Sequence, residues 1–217
     1  DGNRLIDVTV NDGILDSAAA RTTINVNPAN DPPIAFADGF TVIEGSTTPL
    51  DLAGNDTDPD DGLDLTSITI LSGPTNGTIN SINADGTVTY THNGTETLTD
   101  SFTYTIDDLA GVTSNTVTVS LTVTPANDPP VAAPDSFTVN ESSTNTLNLA
   151  GNDTDVDDGL DLTSITIISG PTNGTITSIN TNGTVEYTHN GSETLTDSFT
   201  YTIHDVAGAT SNTATVS

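Results

Sequence analysis

The chain repeats itself at a spacing of 97 residues, with no insertion or deletion. Asn30-Asp31-Pro32-Pro33 returns as Asn127-Asp128-Pro129-Pro130, and Ala53 to Asp58 returns as Ala150 to Asp155. Ser72 to Gly77 returns as Ser169 to Gly174, and Asp100 to Ile106 as Asp197 to Ile203. Roughly three quarters of positions 34–120 match their partners. Solenoid repeats are shorter, about 20–50 residues. A β-sandwich domain takes about 100. The period therefore predicts a string of whole domains.

Within one repeat the apolar residues alternate. Phe40 to Ile43, Leu50 to Leu52, Leu65 to Leu71, Thr78 to Ile82, Thr87 to Thr91, Phe102 to Ile106 and Val117 to Val123 read as seven short strands, broken by Gly, Pro, Asn and Asp. Asp85-Gly86, and Asn182-Gly183 in the second copy, mark a hairpin turn. No useful stretch has a helical period. The pattern predicts an all-β protein of tandem seven-stranded antiparallel sandwiches in an extended rod. Pro-Pro pairs cannot donate to a ladder and read as short stiff linkers. The expected domains are 30–126 and 127–217, the latter with its last strand cut short. Residues 1–29 resemble the last two strands of a preceding, diverged domain: Val8 to Gly13 is similar to Tyr104 to Asp108, and Thr23 to Pro28 to Leu121 to Pro125.

Charge narrows the chemistry. Thirty Asp and Glu stand against two arginines, a formal charge of −28. Arg4 and Arg21 both precede the repeats, so no repeat carboxylate has a Lys or Arg partner in its own repeat. Nucleic acid and anionic membrane are repelled, and no apolar run is long enough to insert in a bilayer. With no cysteine there is no disulfide. Either a divalent cation or a salty medium must neutralise such a surface.

The densest anionic run is Asp56-Thr57-Asp58-Pro59-Asp60-Asp61-Gly62, repeated as Asp153 to Gly159. Alternate aspartates in a tight loop can aim several oxygens at one centre, and Ca²⁺ takes six to eight oxygen ligands. A polar turn on an acidic surface is the competing account. The run is no EF-hand, because Gly62 is one position late and Ser67 stands where the bidentate Glu belongs. His92, His189 and His204 have no Cys or paired His nearby, so zinc is disfavoured, and His92 and His189 are expected in exposed turns. No nucleophile elbow is present, and the few aromatics give a sugar ring little to stack on. The chain is expected not to be an enzyme.

Other acids sit at strand ends: Glu44, Glu96, Asp100, Asp107 and Asp108, with Asn127-Asp128 between the repeats. This arrangement resembles bacterial cadherin-like repeats, found in tandem in giant surface adhesins. Glu44 matches the acid after the first strand, Asp56-Thr57-Asp58 or Asp58-Pro59-Asp60 the DxD loop, and Glu96 with Leu98 to Thr105 the acidic stretch and its strand. Asp108 before Ala110-Gly111 approximates D-x-G, and the two Asn-Asp-Pro-Pro segments are similar to the family's linker. The resemblance implies Ca²⁺ at the junctions. Asn30, Asp31, Asp56, Asp58, Asp60, Asp107 and Asp108 would serve one. Glu44, Glu96 and Asp100, with Asn127, Asp128, Asp153, Asp155, Asp157 and Asp205, would serve the other.

The function expected is a calcium-stiffened spacer in a large secreted or cell-surface adhesin, a biofilm-type component whose adhesion ligand binds elsewhere. Its partners would be neighbouring repeats, or identical chains in a filament. The alternatives are a carbohydrate-binding accessory module of a secreted protein and an acidic halophile surface protein without specific calcium sites.

Overall fold

The alternating patterns become strands wherever one face can be buried. The computed structural model describes residues 4–24 and 29–217. Residues 25–28, the expected end of an N-terminal strand, lie outside the described residues, as do residues 1–3. The chain divides into two units, Asp1–Thr124 and Pro125–Ser217.

The first unit opens with a hairpin, β1 (Arg4–Val8) paired antiparallel to β2 (Ala20–Ile24). Residues 6–24 are all exposed and add nothing to the core. Its ion pair, Arg21 Nε to Asp7 Oδ1 at 2.8 Å, is open to water and contributes little. The sandwich follows. Its strands are β3 (Asp38–Ile43), β4 (Thr47–Asp51), β5 (Leu63–Ser72), β6 (Gly77–Ile82), β7 (Thr87–His92), β8 (Thr99–Asp108) and β9 (Val117–Thr124). One sheet runs β3-β9-β8-β5 and the other β4-β7-β6. There is no α-helix among the described residues, only a 3-10 turn at Ala53–Asn55.

One pair departs from the antiparallel expectation. β3 runs parallel to β9, with Phe40 opposite Leu121 and Val42 opposite Val123. A parallel pair needs a long connection, and here the connection is the whole domain. The core collects Val42, Leu50, Leu52, Ile68, Val88, Tyr90, Phe102, Tyr104, Ile106, Val119, Leu121 and Val123. Burying one such side chain is worth about 1.5–3 kcal/mol.

The second unit repeats the plan with β10 (Thr144–Asn148), β11 (Leu160–Ser169), β12 (Gly174–Ile179), β13 (Thr184–His189), β14 (Phe199–Asp205) and β15 (Ala214–Val216). The sheets are β11-β14-β15 and β10-β13-β12. The counterpart of β3 is reduced to a parallel bridge, Asp135 with Val216.

The Pro-Pro segments do more than join domains. Pro33 and Pro130 are buried. Ile34 bridges Thr57, and Val131 bridges Thr154. The segment read as a linker is thus pinned to the unit that follows it.

Candidate metal centre

The strand β8 explains why acids stand at both poles of the sandwich. Its inward face reads Asp100, Phe102, Tyr104, Ile106, Asp108, all buried. A buried apolar stripe thus ends in a carboxylate at each tip, about 26 Å apart at 3.3 Å per residue. The register of β3 on β9 puts Glu44 at the Asp100 end. Asp56 to Gly62 lies at the Asp108 end.

At the Asp108 pole, the loop after the 3-10 turn wraps around Asp58. Asp58 Oδ1 accepts the backbone N–H groups of Asp60, Asp61 and Gly62 at 2.9, 2.9 and 2.8 Å. The loop closes through Gly62 at φ +95, a left-handed conformation that favours glycine. One oxygen is therefore satisfied three times. The other, Oδ2, is buried and accepts no hydrogen bond from any described residue. Asp58, Asp61 and Asp108 bring one carboxylate oxygen each to within 4.8 Å of one another.

The second unit reproduces this pole. Asp155 Oδ1 accepts the amides of Asp157, Asp158 and Gly159 at 3.1, 3.0 and 2.8 Å. Asp155 Oδ2 is buried with no donor among the described residues. Asp155, Asp158 and Asp205 form the corresponding triplet within 4.8 Å.

The Asn-Asp segments brace both clusters. Asn30 Nδ2 donates to Asp108 Oδ2 at 2.7 Å, and the Asp31 amide to Asp60 Oδ2 at 2.7 Å. Asn127 Nδ2 donates to Asp205 Oδ2 at 2.8 Å, and the Asp128 amide to Asp157 Oδ2 at 2.6 Å. Asp108 also accepts the Val112 amide at 2.7 Å.

These donors set the ionisation. Three backbone amides, Gly62 first, hold the Asp58 carboxyl below the ordinary aspartate range. Burial pushes Asp108 up, but the Val112 amide, the Asn30 side chain and the Ala110 amide together pull it lower. Asp205 behaves alike, with burial opposed by Asn127 and the Ala209 and Gly208 amides. Asp61 is raised, by desolvation first and then by the charges of Asp108 and Asp58. Two carboxylates thus stay ionised beside a third that their charge penalises, the electrostatic situation a cation relieves. The donor set is all oxygen, with no His or Cys. It fits a hard cation such as Ca²⁺ and not zinc.

The other expected ligands go elsewhere. Both oxygens of Asp56 are engaged, Oδ1 by the Phe36 amide at 2.8 Å and Oδ2 by the Tyr104 hydroxyl at 2.9 Å, and Asp153 is held the same way by Ala133 and Tyr201. That takes Asp56 and Asp153 out of the cluster. Asp100 accepts the Thr75, Asn76 and Ser101 amides and the Tyr90 hydroxyl, at 2.8 to 3.0 Å. It is a structural hub at the opposite pole. Glu44, which is buried there, and Glu96, which is exposed, bring a carboxylate oxygen each to within 4.8 Å of one another, as expected of a shared ligand pair. Asp107 sits outside the cluster, opposite Asp64 across the β5–β8 pair. In the second unit His204 faces Asp161.

Two expectations about side chains need correction. His92 and His189 are not exposed: only 2% and 7% of their surfaces are accessible. The alternation Val88, Tyr90, His92 continues inward to the end of β7. His92 Nδ1 accepts the Gly45 and Gly94 amides at 3.4 and 3.3 Å. Asp61 and Asp158 were missed as ligand candidates. Their signal was the spacing from Asp58 and Asp155, a carboxylate three residues after one that caps its own turn.

Fold and site together define a class: tandem all-β sandwich domains, each with an all-oxygen acidic loop at one pole. The model of the bacterial cadherin-like domain matches residues 30–125 and 127–217, and the chain belongs to that family. No curated protein sequence matches it. Among solved structures it is similar to Drosophila N-cadherin EC1-4, at 14% identity and TM-score 0.40, over 99% of this chain and 57% of that one. It is also similar to human protocadherin-24 EC1-2, at 13% identity and TM-score 0.45, over 87% and 99%. An endo-fucoidan hydrolase of glycoside hydrolase family 107 matches at 20% identity and TM-score 0.36, over 99% of this chain and 33% of the hydrolase. The chain spans about a third of that enzyme's length.

Proposed function

We propose that this chain is a pair of calcium-dependent spacer repeats from a secreted or cell-surface adhesin, with a mechanical role and no catalytic one. One observation carries the proposal. In both repeats a buried aspartate oxygen, Asp58 Oδ2 or Asp155 Oδ2, has no hydrogen-bond donor among the described residues while two further carboxylates gather beside that aspartate. An orphaned buried acceptor is costly, and the repeats hold no Lys or Arg to answer it. Asp58, Asp61 and Asp108 would hold Ca²⁺ in the first unit, and Asp155, Asp158 and Asp205 in the second. The ion would supply positive charge and fix the loop, the end of β8 or β14 and, through Asn30 or Asn127, the segment leading into each sandwich.

Calcium titration calorimetry on the full chain tests this. Wild type should bind Ca²⁺, Asp58→Asn should lose one equivalent, and Asp58→Asn with Asp155→Asn should lose two. In EDTA the double variant should melt somewhat lower than wild type, because a neutral amide loses the charge-assisted bonds from the loop amides that hold Asp58 ionised, whereas added calcium should raise only the wild type further. Undiminished binding by the double variant would overturn the site. A melting temperature restored as fully by molar NaCl as by millimolar CaCl₂ would favour the halophile alternative, since screening fills no coordination shell.

A further inference from the structure

Each sandwich buries a tyrosine hydroxyl among acceptors only. Tyr104 Oη lies 2.8 Å from the Leu52 carbonyl, 2.9 Å from Asp56 Oδ2 and 3.2 Å from Asp38 Oδ2. Tyr201 Oη lies 3.0 Å from the Leu149 carbonyl, 2.9 Å from Asp153 Oδ2 and 3.3 Å from Asp135 Oδ2. Both tyrosines are fully buried. A phenol has one proton to give, so three acceptors cannot all be served. Asp38 Oδ1 takes the Asn55 side chain at 3.0 Å, which leaves Oδ2 facing a phenol oxygen whose proton is contested. Ionising the tyrosine would worsen matters, and burial and the nearby carboxylate raise its pKa in both copies.

A proton on Asp38 relieves the conflict. Asp38 then donates to Tyr104 Oη, and Tyr104 donates to Asp56. The single phenol hydrogen is then contested by two acceptors, Asp56 Oδ2 and the Leu52 carbonyl, instead of three, and Asp38 Oδ2 no longer faces the phenol oxygen without a proton between them. We propose that Asp38 and Asp135 keep a proton in the folded domains at a pH where an ordinary aspartate has lost it, and that this proton latches the first strand segment of each sandwich through the buried tyrosine. Asp38 is the first residue of β3, opposite Val119 of β9. Asp135 occupies the equivalent bridge with Val216.

The surroundings agree. Burial pushes Asp38 up to about 6; the Asp56 and Asp51 charges add to this, and the Tyr104 and Asn55 hydrogen bonds oppose it. Burial also lifts Asp135 to about 6, with Asp153 adding and Tyr201 and Asn152 opposing. These are the titratable and polar groups that face the two carboxyls. A free aspartate titrates near about 3.9. Between those values the folded state binds more protons than the unfolded one. Stability from this source therefore rises as pH falls through about 6, and the gain is complete below the unfolded value.

Carbon-detected NMR of the aspartate carboxyls in the full chain, titrated in EDTA, tests the latch independently of calcium. Two resonances should titrate near 6, and both should be absent from Asp38→Asn with Asp135→Asn. Wild type should also gain more melting temperature than that variant between pH 7.5 and 5. The proposal is overturned if no aspartate titrates above about pH 5, or if both high midpoints survive in the variant. Should the variant not fold, the wild-type titration decides alone.

Discussion

Gly77→Ala should unfold the first sandwich far more easily than its chemistry suggests. A Cβ at Gly77 would lie 2.5 Å from Cε2, Cζ and Oη of Tyr90. At Gly174 the distances to the same atoms of Tyr187 are 2.4, 2.5 and 2.6 Å. The ring has nowhere to go. Tyr90 is fully buried, and its hydroxyl donates to Asp100 Oδ2 at 2.8 Å. An ordinary contact needs about 1 Å more room, and moving the ring that far breaks the bond to Asp100. Overpacking costs about 1–3 kcal/mol, and a lost hydrogen bond to a charged group about 1.5–3 kcal/mol. The expected penalty is about 2–6 kcal/mol. A domain near 100 residues loses roughly 4–8 °C per kcal/mol, so the first unit should melt at least about 8 °C lower. Calorimetry combined with hydrogen exchange resolves that unit from the second. Gly73→Ala is the control, because nothing lies within 4 Å of its Cβ. In a Tyr90→Ala background Gly77→Ala should be nearly harmless, since the two changes share one contact. Equal costs for Gly77→Ala and Gly73→Ala, or an unchanged cost without the ring, would refute the packing argument.

Asp107→His should raise the melting temperature of the first unit in EDTA, and His204→Asp should lower that of the second, because Asp64 faces Asp107 where Asp161 faces His204. Opposite signs in a thermal melt are the expected outcome. His92→Ala should cost about 1–3 kcal/mol in urea denaturation, because it strips the acceptor from the Gly45 and Gly94 amides. Below about pH 4 the metal-free chain should lose stability. Asp58, Asp108 and Asp205 have depressed values, so their contribution is present above the unfolded value and disappears as pH falls through the folded one. A melting temperature still climbing below pH 3 would contradict those shifts.

The sandwich was legible because it depends on alternation, and alternation is local. Val117 to Val123 reads as a half-buried strand with no knowledge of its neighbours, and it folds as one. The parallel pairing of β3 with β9 was not legible, since no turn connects them and only tertiary packing sets their direction. The acidic loop was legible, and so were Asp58 and Asp108, but not every acid that gathers with them. Counting alternate aspartates selected Asp56 and Asp60. The loop spends one oxygen of Asp58 on its own amides and brings the exposed Asp61, not Asp56 or Asp60, beside it. Asp56 was diverted by Tyr104, a partner 48 residues away that spacing cannot reveal. Asp38 was overlooked for the same reason, although Asp135 stands at the equivalent place 97 residues on.

The two acids on each inward strand face show how one pattern yields two kinds of site. Asp100 and Asp108 are both buried, both end the same stripe, and both accept backbone amides. Asp100 meets three amides and a phenol. Those donors answer its charge, and nothing further is required of the site. Asp108 meets an amide, an asparagine and two more carboxylates. Its local sum of charge stays negative, in a repeat with no cation of its own. A carboxylate hub can be closed by donors from the chain, while a carboxylate cluster can be closed only by something the chain lacks. The difference between them is therefore the number of acids that converge, and not burial, which they share. On that ground the proposed metal site lies at the Asp108 pole, and the Asp100 carboxylate is a structural hub.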